Sequence, residues 1–351
     1  MLLAACGGAG AQDVATIYGR LNVAIEGVSV DGSDAPVAKR LSNNRSVLGF
    51  RGTEDLGDGL QAIWQLEGAL SVDTGTGSFT NRDTRVGLAG PAGTLFVGIW
   101  TLPYTLATSS YDPFYPTTAG YMGLMGNGSA ASSGNVSDTA AFDRRQKNVV
   151  QYWTPTWKGI SARVAYSFNE EIVAATGAKP SLFSGSVSAQ WGRLAMTLAH
   201  EVHRQYQAAS GSDTGSKIGA TYAAGNWKVS GVAEHLHYQT ATGGLSRNSI
   251  YVSGTWKPGA ATTLNAGFAH AFDGSGTASE RVGGLVRGDG TGASQLTVGA
   301  DYAFSKRAGL FVYVSHIANR GDAAYDFAIN QAGVSAGQKP TVVALGLRHV
   351  F

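Results

Sequence analysis

The chain is poor in charge. Only 14% of its 351 residues are Asp, Glu, Lys or Arg, where a soluble domain carries nearer a quarter, so the usual charged, water-facing shell is not encoded. Cysteine is almost missing: Cys6 stands alone, which excludes an internal disulfide framework and a cysteine-built zinc site. No stretch reaches the roughly 18 consecutive apolar residues that a transmembrane helix needs. Helical periodicity is scarce throughout. The net charge of +2 gives no footing for nucleic-acid binding, which leaves no nucleic acid among the expected partners.

Period-two alternation fills the space these absences leave. In the last segment Val343, Leu345, Leu347, His349 and Phe351 alternate with Val342, Ala344, Gly346, Arg348 and Val350, which puts the two sets on opposite faces of a strand. Ile17, Leu21, Val23 and Ile25 oppose Tyr18, Arg20, Asn22 and Glu26. Ile160, Ala162, Val164, Tyr166 and Phe168 oppose Ser161, Arg163, Ala165 and Ser167. Leu296, Val298, Ala300, Tyr302 and Phe304 alternate with Gln295, Thr297, Gly299, Asp301 and Ser305. Apolar outside and polar inside is what a water-filled pore in lipid requires.

Sixteen such segments are expected, near 14–28, 45–54, 59–72, 80–90, 94–100, 147–155, 159–169, 182–191, 193–204, 215–225, 226–239, 246–257, 260–273, 293–305, 308–320 and 341–351. An even count closes an antiparallel barrel and leaves no backbone edge unpaired in hydrocarbon. Tight turns at Asp58-Gly59 and Ala92-Gly93 alternate with longer connections such as 274–292. Trp153, Trp157, Trp191, Trp227 and Trp256 are candidates for interfacial girdles. The longest irregular stretch, about 101–144, is long enough to be a functional loop, and folded into the lumen it would narrow the pore. The fold class expected is therefore all-β: a 16-stranded antiparallel transmembrane β-barrel with an inward-folded third external loop. Residues 1–11, ending in Ala9-Gly10-Ala11, read as the remnant of a secretory signal, and 12–351 as one barrel domain.

Several motifs resemble the Gram-negative trimeric general porins of the neisserial and betaproteobacterial branch. They are Thr16-Ile17-Tyr18-Gly19; Leu48-Gly49-Phe50-Arg51-Gly52-Thr53-Glu54-Asp55-Leu56-Gly57 running on to Glu67; Val86-Gly87-Leu88; Val150-Gln151-Tyr152; Tyr302 to Arg307; and Gly346 to Phe351. The resemblance implies an outer-membrane homotrimer with one pore per protomer, basic wall residues facing the inward loop, and contact with outer-membrane lipids and lipopolysaccharide. It also implies that Phe351 is the recognition mark for the outer-membrane assembly machinery. The matching wall positions are Arg20, Arg82 and Arg145. Val47 stands where the family usually has an arginine, with Arg45 two residues earlier as its substitute, and Ile99 replaces an arginine after Gly98. Asp112 is the loop's only carboxylate before Asp138. The pore constriction is expected from Arg20, Arg45, Arg82, Arg145, Lys147 and Asp112.

Sorting charges by the alternation places Arg20, Arg45, Arg51, Arg82, Arg145, Lys147, Arg163, Arg193, Lys217, Lys228 and Arg348 inward, against Glu26, Glu67, Glu201, Glu234 and Asp301. That balance favours passive passage of small hydrophilic solutes with a preference for anions, since rings of Arg or Lys select anions. Asp83 and Arg85 fall on the outward face and are expected at a protomer contact. Two other functions compete. An outer-membrane hydrolase needs a nucleophile and base in register, and none of the histidines lies in such a motif. A substrate-selective channel needs a dedicated site, for which the loop aromatics Tyr104, Tyr111, Phe114, Tyr115 and Tyr121 are suggestive. His200 and His203 point to opposite faces, and His235 and His237, which share one, lack a third ligand. No cofactor, metal or catalytic residue is expected.

Overall fold

The structure is a computed structural model that describes residues 15–33, 36–133, 139–168, 170, 172–173 and 177–351. Sixteen long strands form one antiparallel ring. The first eight are β1 (Thr16–Asp31), β2 (Ala38–Asn43 continuing as Ser46–Gly57), β3 (Leu60–Ser71), β4 (Thr84–Gly90), β5 (Gly93–Thr101), β6 (Asp143–Trp153), β7 (Ile160–Ser167) and β8 (Ser181–Trp191). The rest are β9 (Leu194–Arg204), β10 (Ser212–Ala224), β11 (Trp227–Gln239), β12 (Gly244–Trp256), β13 (Thr262–Ala271), β14 (Ala293–Ala303), β15 (Ala308–Asn319) and β16 (Lys339–Val350). Each pairs with the next in sequence, and β16 returns to β1 in a register running from Arg20↔Val350 to Asp31↔Lys339. This closure satisfies every strand edge, as hydrocarbon demands. The expected signal remnant at 1–11 lies outside the described residues.

Connections alternate in length around the ring. Those at one mouth are tight, such as 58–59, 192–193 and 225–226, whereas the other mouth carries 72–83, 102–142, 272–292 and 320–338. The expected alternation of faces holds along the strands. Ile25, Leu198, Leu296, Val298, Leu345 and Leu347 are all more than 40% exposed, while Asn22, Glu26, Glu201 and Gln295, on the opposite parity, are buried. Apolar residues on the convex side are exposed because this face is built for lipid, not water.

Aromatic rings mark the tight-turn rim. Trp191, Trp227, Tyr302 and Phe304 are exposed there, and Trp227 stacks on Trp256 at 5.2 Å. Trp153 is the exception among the expected girdle residues. It pairs with Arg163 across the β6–β7 ladder and packs edge-on against Phe96 at 5.2 Å, inside the barrel. The terminal ring closes the seam. The backbone of Phe351 exchanges two hydrogen bonds with Gly19 (3.0 and 3.1 Å), and the Phe351 ring covers Gly19 so closely that an added Cβ would lie 2.5 Å from it.

Candidate functional site

The connection from β5 to β6 does not stay at the rim. It opens with a short helix, α1 (Pro103–Thr108), and its residues from Leu102 to Asn127 are almost all buried. Its partners are spread over much of the barrel circumference. The Tyr104 amide donates to Ser184 on β8 (3.0 Å), and the Tyr104 hydroxyl donates to Glu234 on β11 (2.8 Å). Ser253 on β12 donates to the Tyr111 carbonyl (2.6 Å), Thr297 on β14 to the Ala119 carbonyl (3.1 Å), and Asn22 on β1 to the Pro116 carbonyl (3.0 Å). A segment touching β8, β11, β12, β14 and β1 from their inner faces crosses the lumen. Glycine makes room for it on β10: the Phe142 ring lies against Gly215 and the Tyr111 ring against Gly219, where a Cβ would come within 2.7 and 2.6 Å.

On the wall around β1, β2, β4 and β6, four arginines interact as one group. Arg20, Arg45, Arg82 and Arg145 lie within electrostatic reach of one another in a chain that also includes Glu67, Asp83 and Tyr115. Arg82 Nε donates to Glu67 (2.9 Å), and Arg145 Nε donates to Asp83 (2.6 Å). Arg20 and Arg45 have no ion-pair partner among the described residues. Arg20 instead donates to the Arg45 carbonyl (2.9 Å), and Arg45 reaches Ser129 (2.6 Å) and Tyr115 (3.4 Å) on the loop. Four cations with two acids leave this cluster net positive.

A bulge in β2 aims Arg45. Its partner β1 runs from Val23 to Arg20 while β2 runs from Asn43 to Val47, so one extra residue is accommodated. Arg45 takes φ 55° there. The Asn22 side chain holds the kink by donating to the Asn44 carbonyl (3.1 Å), and Ser46 Oγ accepts the Asn22 amide (2.9 Å). A bulge of this kind redirects a side chain that the regular pleat would leave in register.

Two expected constriction residues are elsewhere. Lys147 falls on the outer surface, in a groove it shares with the outward-facing Val97, Val150 and Phe168. The β5–β6 register shifts between Gly98 and Trp100, and Asn148 has φ 52°. One inserted residue reverses the facing of the residues beyond it. Asp112 is inside but turned away from the pore: its carboxylate accepts the backbone amides of Phe114 (3.0 Å) and Tyr121 (3.0 Å) and the hydroxyl of Tyr251 (3.1 Å). Burial pushes this carboxyl up to about 6 against the opposing pull of those three donors. It ties the loop down and gives the pore no free negative charge.

Asp83 and Arg85 also depart from expectation, since both face inward. Val86 and Leu88 are the exposed, lipid-facing pair of β4, which turns Arg85 to the lumen, over the rings of Trp100 (4.4 Å) and Phe96 (4.8 Å). The regular strand starts only at Thr84, so parity carried forward from the inward Arg82 fails. Arg40, Arg144 and Arg247 are further inward cations that the alternation did not single out. Arg40 pairs with Glu26 at 2.8 Å, Arg247 lies 3.7 Å from Glu234, and Lys217 pairs with Asp143 at 3.0 Å. These pairs neutralise Glu26, Glu234 and Asp143. Arg51, Arg163, Lys228 and Arg348 join Arg20 and Arg45 without an ion-pair partner among the described residues. The loop aromatics Tyr104, Phe114 and Tyr121 are at most 3% exposed, which makes them packing that pins the loop, not a solute path.

The chain is similar to known proteins along its whole length. It is 29% identical to the outer membrane porin protein 32 of Delftia acidovorans, over 100% of this chain and 97% of that protein. It is 25% identical to the major outer membrane protein P.IA of Neisseria meningitidis, over 90% of this chain and 84% of that one. Among solved structures, the anion-selective porin from Comamonas acidovorans superposes with a TM-score of 0.79 at 25% identity, covering 97% of this chain and 100% of that one. OmpT of Vibrio cholerae shares the fold with a TM-score of 0.70 at 17% identity, covering 97% and 99%. A family model described as Gram-negative porin matches residues 1–322. With a closed barrel, a lumen-crossing loop and an apolar outer face, the chain belongs to the Gram-negative porins, channel-forming barrels of the outer membrane.

Proposed function

We propose that this porin passes small hydrophilic solutes by passive diffusion and prefers anions, without catalysis. The observation that carries the preference is the clustering of Arg20, Arg45, Arg82 and Arg145 around only two carboxylates, Glu67 and Asp83. The described part of the loop adds no free acid, because Asp112 is consumed by its own hydrogen bonds. Low-dielectric walls focus the field of such a cluster into the channel. The similarity to a porin named as anion-selective supports the same sign.

The protomer is read as one of three in a homotrimer, in contact with outer-membrane lipids and lipopolysaccharide. Phe351 is read as the mark for the assembly machinery, and its place at the β1–β16 seam supports a role in the last step of closure. The permeation reading is tested by swelling of proteoliposomes in neutral sugars of increasing size. Rates should fall smoothly with solute size and stay linear in concentration. Saturation by one solute would overturn general diffusion in favour of a dedicated binding channel.

A further inference from the structure

We propose that the outer rim of β7–β10 holds the phosphorylated headgroup of an outer-leaflet lipid, with Lys179 and Arg204 as its anchors and the apolar wall beneath as the seat of its chains. The proposal rests on the lipid-contact reading above and gives that contact a place. Depth comes first. Five histidines face outward near the long-loop rim, on every second strand from β9 to β15. Each ring Nδ1 is hydrogen-bonded to a side chain on the neighbouring strand: His200 to Ser216 (2.8 Å), His235 to Asn248 (2.8 Å), His237 to Ser246 (2.8 Å), His270 to Ser294 (2.7 Å) and His316 to Thr341 (2.8 Å). Amphipathic rings with one nitrogen held by the wall and the other left for the polar side suit the boundary between hydrocarbon and headgroups. Below His200 on the same outward face β9 is purely apolar, with Leu198, Met196 and Leu194 exposed.

Above that boundary, Arg204 is four residues further along β9, about 13 Å at the usual strand rise, which is headgroup depth. It lines a cavity of about 470 Å3 with Lys179, Tyr166, Ser181, Gln205 and Ser212. Among the described residues no carboxylate lines this cavity, and neither cation has an ion-pair partner. Below it, β7 to β12 form a groove of about 680 Å3 whose outward walls are Val164, Val187, Leu198, Ile218 and Ile250. Two unneutralised cations over a continuous apolar groove complement an anionic head on acyl chains. A free phosphate ion would have no use for the groove.

The test uses the full chain in detergent, incubated with a bis-phosphorylated lipid A or with its enzymatically dephosphorylated form, and native mass spectrometry to count retained lipid. The wild type should retain the phosphorylated form in excess. Lys179→Gln combined with Arg204→Gln should lose that excess by about tenfold or more, since each basic residue near a membrane surface contributes about a factor of five. Lys306→Gln, at the opposite mouth, should behave as wild type, and single-channel conductance should be the same in all three. Equal retention of both lipids by the wild type, or full retention by the double variant, overturns the site while leaving lipid contact in place. Retention of neither lipid by the wild type overturns the contact reading and the site together.

Discussion

Within the arginine cluster the four side chains are not equivalent. Arg82 and Arg145 have carboxylate partners at 2.9 and 2.6 Å, whereas Arg20 and Arg45 are held by carbonyl and hydroxyl oxygens. Replacing Arg45 or Arg20 by Ala should therefore lower anion selectivity with little change in melting temperature. Arg82→Ala and Arg145→Ala should do both, because each strands a carboxylate. Breaking a buried pair costs about 3–5 kcal/mol. Arg145→Ala belongs at the low end of that range, since the Asp83 side chain keeps 21% exposure. Selectivity measured beside thermal melting of each variant checks the division. A second residue-scale expectation concerns Gly19, whose missing side chain leaves room for the Phe351 ring. Gly19→Leu should slow barrel closure in refolding assays and destabilise the product by about 1–3 kcal/mol. At this scale the inward facing of Arg20 and Arg82 was legible, because a motif framed each residue. It misled where one inserted residue changed the parity, as at Lys147, and where burial turned a carboxylate inward on itself, as at Asp112.

The lumen-crossing loop rests on specific seats along the inner wall of the barrel. Gly219→Leu should displace Tyr111, with which a Cβ already collides at 2.6 Å, and give larger, noisier single-channel currents than wild type. Asp112→Ala should have a similar effect through a different route, by stranding three donors, each worth about 1–3 kcal/mol when buried without a partner. Asp112 also carries a pH signature. Its folded carboxyl is pushed up to about 6 by burial, above the value of about 4 for an unfolded chain. The folded loop then binds this proton more tightly, so its stability rises as pH falls from about 6 towards 4, is lost as pH climbs back through 6, and is flat above. Protease nicking of the loop should be slower at pH 5 than at pH 7 in relation to a loop-independent control site, and Asp112→Asn should abolish the difference. None of these seats was visible beforehand. The length and composition of 101–144 pointed to a loop, but Gly215 and Gly219 look like any strand glycines until the rings that rest on them are placed.

The whole molecule is built on an inverted burial pattern, with acids and amides such as Asn22, Glu26 and Glu201 fully buried while Ile25, Leu296 and Leu347 are more than half exposed. This was legible because period two needs no tertiary information to be seen. The strand count came from the same pattern. Strand ends came less well: β2 starts at Ala38 and β6 at Asp143, beyond bulges that break the alternation. What the pattern cannot supply is the pairing of charges, and pairing decides which cations remain to act on a passing ion. The direct test is the zero-current potential of the pure channel in a planar bilayer under a tenfold KCl gradient. Anion preference set by the arginine cluster predicts the sign of chloride permeating faster than potassium, and a shift towards zero with Arg20→Ala and Arg45→Ala combined. A potential of cation-selective sign, or one unmoved by that double variant, would contradict it.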